Sequence, residues 1–181
     1  METSLIEKAA HIMVTAHGDQ KRKTNNTPYI LHPMMVAFKL QELGFEPKVI
    51  AAALVHDVLE DTKFTAEQLE KELGKEVLEL VLPLSEDKSL EWEDRKAKHV
   101  ESIKNAPADA KAVSVTDKIH NLESLIAGHA EMGPEIWQKF NRGKEKKMWF
   151  ENELLKMYKS TWSHPLINKY EKLLRQAEAL D

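Results

Sequence analysis

A chain of 181 residues, 42% hydrophobic and 31% charged, has ordinary globular composition and enough length to bury one core without staples. Its 30 acidic and 26 basic residues leave a formal charge of −4, which excludes bulk attraction to DNA, RNA or an anionic membrane but not a local phosphate pocket. Cysteine is absent, which excludes disulfides and thiolate metal sites, and no apolar run approaches the roughly 18 residues of a membrane span.

With no basic segment leading into an apolar one at the N-terminus, a cytoplasmic protein is expected, folded as one domain over residues 1–181. Leu5, Ala9, Ile12, Met13 and Ala16 recur at helical spacing and predict a first helix over about residues 3–20. The basic stretch Gln20–Asn26 reads as a solvated loop. Pro28 restrains the approach to His32, and Pro33 suits the first turn of a helix that stops at Gly44. His32 therefore stands at a helix entrance, a rigid place from which to aim an imidazole.

Pro47 opens the central segment, in which the apolar run Val49–Val55 leads directly into His56, Asp57, Glu60 and Asp61. On a continuous helix the last three lie roughly 100°, 40° and 140° round from His56, so all four share a sector. The rest of the segment is apolar on nearly every side, as in a buried helix. Three buried carboxylates at a helix C-terminus repel one another and oppose the macrodipole, a conflict that a divalent cation resolves.

Thr65 and Gln68 form a capping-box pattern for the next helix, closed by Gly74, and Pro83 predicts a kink at the end of the one after. A charged helix over about 89–104 should turn Trp92, Ala97 and Val100 inward. Pro107 begins a helix with the buried stripe Val113, Ile119, Leu122 and Ile126, and Gly128 reads as its stop. Asp117, Asn121 and Ser124 line one face of it, while His120 is read as a packed histidine. Gly133-Pro134 starts a long amphipathic helix interrupted at Gly143, and a last helix covers about 164–180. The aromatics and leucines of these two are core or an inter-subunit surface, leaving a homo-oligomer open. With no sustained β alternation, the fold class predicted is all-α, a bundle of roughly eight to ten helices.

The set Tyr29-Ile30-x-His32-Pro33, His56-Asp57-x-x-Glu60-Asp61-Thr62 and Asp117-Lys118-x-x-Asn121-Leu122 resembles the HD-domain hydrolases of the RelA/SpoT kind. It is most similar to their small stand-alone relatives, which hydrolyse the alarmone (p)ppGpp, and the likeness runs from about residue 5 to about residue 160. Gly74-x-x-Val77-x-x-Leu80-Val81 and Ser85-Glu86-Asp87-Lys88 look like further landmarks of that family.

The resemblance implies that His32, His56, Asp57 and Asp117 hold one Mn²⁺ ion. Fe²⁺, Zn²⁺ or Ni²⁺ are chemically acceptable substitutes, tetrahedral zinc less so because catalysis needs an open position. It implies that Glu60 and Asp61 orient the attacking water and handle its proton. The products expected are pyrophosphate and GDP or GTP. Arg22, Lys23 and Thr24 match the family's basic segment, with an arginine against the base and a lysine at phosphate, and Asn121 and Ser124 match positions near the nucleotide. Arg95-Lys96 matches a recurrent pair, and Lys144, Lys146 and Lys147 read as a solvated face. Lys118 stands where many long relatives have arginine, and Ser114-Val115-Thr116 departs from their usual Leu-Ala. The chain is too short to carry the family's synthetase domain as well, so degradation without synthesis is expected. Two other readings stay open: a hydrolase of (p)ppApp or another 3′- or 2′-phosphorylated nucleotide, and a non-catalytic alarmone-binding regulator.

Overall fold

The computed structural model describes residues 3–22 and 26–181. Lys23 and Thr24, two of the expected substrate-binding residues, lie outside them. Helices α1 (Leu5–His17), α2 (Leu31–Glu42), α3 (Pro47–Val55), α4 (Val58–Asp61), α5 (Ala66–Leu73) and α6 (Lys75–Val81) are followed by a 3-10 turn at Leu82–Leu84. Helices α7 (Trp92–Asn105) and α8 (Ala108–Met132), a 3-10 segment at Gly133–Lys139, α9 (Gly143–Thr161) and α10 (Pro165–Glu178) complete the all-α chain. Among the described residues the only β pairing noted is one bridge, Lys21 to Pro28, which closes the basic loop. No described helix is long and apolar enough to cross a membrane.

Two buried helices position everything else. In α3 every residue from Val49 to Val55 is buried, with α1, α2, α6 and α8 packed round it. Helix α8, buried without interruption from Ala110 to Asp117, packs against α2, α3 and α10. Burial on this scale, at roughly 25 cal/mol per Å² of apolar surface, is what holds these helices at fixed mutual positions. Local sequence sets their ends. Ser4 accepts the Glu7 N–H at 3.2 Å, Pro47 and Pro165 occupy first turns, and Thr65 and Gln68 form the reciprocal capping box.

Four expectations are corrected. The central segment is not one helix: it breaks at His56-Asp57, with Asp57 at φ −95°, ψ −5°. His56 Nδ1–H donates to the Ala53 carbonyl at 2.8 Å, competing for the acceptor that an unbroken helix offers to the Asp57 amide. Gly128 is no stop, because α8 runs on to Met132 and turns at Gly133, whose φ is +64°. Glycine at 128 serves packing instead, since a Cβ there would lie 2.5 Å from Ile136 Cδ1. The residues after Gly133 form a 3-10 segment, and α9 begins at Gly143 rather than being interrupted there. In α7, Ala97 is exposed and the buried positions are His99 and Ile103. The leucines and tyrosines of α9 and α10, by contrast, are core: Leu154, Leu155, Tyr158, Tyr170 and Leu174 are all buried.

Candidate metal centre and cleft

Three separate pieces of chain converge. The start of α2 brings His32, the α3–α4 break brings His56 and Asp57, and the buried half of α8 brings Asp117. His32 Nε2 stands 2.9 Å from Asp117 Oδ1 and 3.7 Å from Asp57 Oδ2; His56 Nε2 stands 3.1 Å from Asp57 Oδ2 and 3.8 Å from Asp117 Oδ1. Ligand atoms of His32, His56 and Asp57 all lie within 4.8 Å of one another, the spacing of a shared ion.

The donor set passes two physical tests for a cation. Because His56 Nδ1–H is committed to Ala53, Nε2 is the nitrogen left to meet a cation or a proton, and that buried atom faces Asp57 Oδ2 without a well-formed hydrogen bond. Five carboxylates (Asp57, Glu60, Asp61, Glu86, Asp117) and three cations (Arg22, Lys96, Lys118) line the cavity; with its histidines neutral, as metal ligation requires, the excess is two negative charges, which one divalent ion cancels. The same demand shows in the titration of His56. Burial opposes its charged form, yet Asp57 and Asp117 prevail and hold it well above its ordinary value. Asp117 is buried too, but Lys118 beside it, with His32 and His56, pushes it well below the usual carboxylate range.

Supporting contacts orient these groups. Tyr29, kept protonated by burial and by Asp57, donates its hydroxyl to Asp57 Oδ2 in a short hydrogen bond. Lys118 Nζ pairs with Asp117 Oδ2 at 2.9 Å. Asn121 Nδ2 donates to Asp117 Oδ1 at 2.5 Å, and its Oδ1 accepts from Arg22 at 3.0 Å. The nitrogens His32 Nδ1 and His120 Nδ1 are 2.7 Å apart, with their rings stacked, so His120 steadies His32 and is more than core packing.

Glu60 and Asp61 both line the cavity but are held differently. Glu60 Oε2 accepts the Glu86 N–H at 3.0 Å, and burial raises its carboxyl above the ordinary value. Asp61 lies at the rim, exposed rather than buried, with Oδ1 held by Lys88 Nζ at 2.5 Å. Ser124 does not line the cavity: its hydroxyl bonds back to the His120 carbonyl at 2.8 Å.

The cavity lined by His32, His56, Asp57 and Asp117, about 200 Å³, opens beside a recess of about 620 Å³ that shares Arg22, Tyr29, Asn121 and Lys96 with it. Arg22 lies over the Tyr29 ring at 6.0 Å. Beyond Lys96 is a third hollow lined by Arg95, Lys118, Lys139, Arg142 and Lys147, a cationic basin on an acidic chain. Lys147 is thus no solvated lysine; it also bonds the fully buried Glu151. Sequence reasoning passed over the roles of Tyr29, Glu86 and His99 at the cleft. Tyr29 carried the signal of lying within the Tyr-Ile-x-His-Pro motif, whereas His99 carried none.

A family model described as HD domain matches residues 9–145. The chain is 36% identical over 139 residues to the guanosine-3′,5′-bis(diphosphate) 3′-pyrophosphohydrolase MESH1 of Xenopus tropicalis, covering 75% of each chain. It is 36% identical over 134 residues to the guanosine-3′,5′-bis(diphosphate) 3′-pyrophosphohydrolase of Aquifex aeolicus, covering 72% of this chain but only 19% of that longer protein. The solved structure of a metazoan SpoT ortholog that hydrolyses ppGpp superposes with a TM-score of 0.83 at 27% identity over 99% of both chains.

Proposed function

Because this chain belongs to the HD-domain family, we propose that it is a metal-dependent hydrolase that removes the 3′-pyrophosphate of (p)ppGpp. The carrying observation is the convergence of His32, His56, Asp57 and Asp117 round an unpartnered, buried His56 Nε2, with Glu60 on the same cavity wall. Those four residues would hold the ion, and Mn²⁺ suits their mix of imidazole and carboxylate. When bound, such an ion supplies Lewis-acid polarisation of a phosphate oxygen and acidifies water.

The chain's own groups do the rest. Glu60, with a raised affinity for protons, takes one from the attacking water. The new P–O bond forms on the phosphorus attached to the ribose 3′ oxygen, the bond to that oxygen breaks, and the oxygen gains a proton. Pyrophosphate leaves, and the 5′-phosphorylated nucleoside remains. Asp61, tethered by Lys88, orients the water from the rim. Arg22 offers a planar cation for stacking on the base, with Asn121 beside it, and the cationic basin matches the remaining phosphates. A chain without cysteine suits a reducing cytoplasm.

Incubating the protein with ppGpp and manganese should yield GDP and pyrophosphate, resolved by ion-exchange chromatography, and chelator should stop the reaction. Intact ppGpp at the end would refute the assignment. The adenosine counterpart in the same assay reads base preference, which stacking on Arg22 does not set.

A further inference from the structure

His99 sits on α7, a helix rich in charge, yet it is only 6% exposed and lines the cavity that holds His32, His56 and Asp57. Both of its ring nitrogens are buried without a hydrogen-bond partner. The nearest carboxylate oxygen, Glu86 Oε1, is 3.9 Å from Nδ1, beyond hydrogen-bond reach. Buried polar atoms without a partner are costly and rare, so two on one ring that lines a cavity point to a group that enters it.

Its neighbours define what enters. Lys96, three residues earlier on the same face of α7, and Lys118 from α8 are the cavity's inner cations, and Phe150 underlies both, at 4.5 Å and 5.8 Å from their Nζ atoms. Glu86 holds Lys96 at 2.6 Å, and Asp117 holds Lys118 at 2.9 Å, so both ammonium groups are fixed in place. The inner wall thus offers two fixed cations and an imidazole that burial, helped by those lysines, keeps uncharged down to about pH 4. A neutral imidazole donates one N–H to an anion oxygen without demanding a counter-charge. The ligand group chemically matched to it is a phosphate.

Resting on the hydrolase reading above, we propose that His99, Lys96 and Lys118 form an inner subsite for the distal phosphate of a 3′-linked diphosphate. His99 is then a specificity residue: it makes the site prefer a 3′-diphosphate to a 3′-monophosphate. The scissile phosphate belongs at the His32–His56–Asp57 end, the nucleoside in the larger recess beside Arg22, and the inner wall remains for the terminal group.

His99→Leu removes the donor, and His99→Gln restores a donor and an acceptor. On the manganese-loaded protein, His99→Leu should lower kcat/KM for the 3′-diphosphate by about tenfold to a hundredfold, the range of a lost hydrogen bond to a charged group. Its rate on the matching 3′-monophosphate should stay within about twofold, and His99→Gln should keep the wild-type preference. Calorimetry with inorganic pyrophosphate and orthophosphate gives a readout free of turnover: the wild type should favour pyrophosphate, and His99→Leu should lose that margin. In the magnesium-loaded wild type, where no variant has to fold, pyrophosphate should move the His99 ring ¹⁵N resonances. Equal losses on both nucleotides, an unchanged margin for pyrophosphate, or unmoved His99 resonances would each overturn the proposal. If the wild type cleaves neither nucleotide, the hydrolase reading fails, and the pyrophosphate and resonance measurements still decide the subsite.

Discussion

Glu60 and Asp61 are adjacent in sequence but unequal in what surrounds them. Burial lifts the Glu60 carboxyl while the Glu86 N–H fixes one of its oxygens, so it is both aimed and basic. Asp61 is partly solvated and already engaged by Lys88. Glu60→Gln should therefore lower kcat by about 10²–10⁴-fold, the usual weight of a general base, with manganese affinity retained. Asp61→Asn should cost less. Glu60 acts in its unprotonated form, so the wild-type rate should fall as pH drops through its raised pKa, and the glutamine variant should lack that acid limb. Single-turnover rates between pH 4 and 9 check both points. His56, Asp57, Glu60 and Asp61 were legible as a cluster wanting a cation, because carboxylates and an imidazole at the end of an apolar helix are costly without a partner, whereas His32 and Asp117 were named only through the family resemblance. His120 and His99 were not, because an imidazole's task depends on which distant atom faces it. Ser124 shows the converse: it shares the helix face of Asp117 and Asn121, but its hydroxyl is satisfied locally.

At the scale of elements, α9 and α10 are joined by a polar staple inside an apolar interface. Glu151 is 0% exposed, accepts the Tyr170 hydroxyl at 2.5 Å and pairs with Lys147 from its own helix. Tyr170→Phe should cost about 1–2 kcal/mol, since Glu151 keeps Lys147. Glu151→Ala should cost about 3 kcal/mol or more, because it opens a cavity and strands two polar partners. Urea midpoints measured at constant m value separate the two. Helix positions were readable from apolar spacing, as the all-buried α3 shows, but helix ends were less so. The break at His56 comes from a side chain competing with the backbone, and the glycine at 128 from the approach of Ile136; neither leaves a periodic trace.

For the whole molecule, buried histidines set the response to acid. His99 has an ordinary value of 6.5 and a folded value of about 4, so between those limits the unfolded chain binds a proton that the folded chain refuses. Stability therefore falls as pH drops through that window, by up to about 3 kcal/mol from this group at 1.36 kcal/mol per unit. His120, also near 4, works in the same direction. His56 does not oppose them there, because its raised value keeps it protonated in both states below 6.5. The stability difference between wild type and His99→Gln, followed by denaturant titration from pH 7 to 4, should shrink by that amount. The junction of α2, the α3–α4 break and α8 has a further consequence, because the ion proposed above would draw its ligands from positions 32, 56, 57 and 117, which this junction brings together. An ion that grips only the folded chain ties three remote stretches together, adding about 2.7 kcal/mol at a free concentration a hundred times its dissociation constant. Calorimetric melting across a manganese series should show the transition climbing with each decade of metal and falling back with chelator. Scarcity of that ion would then lower the folded fraction as well as the turnover, so both losses would come from one shortage.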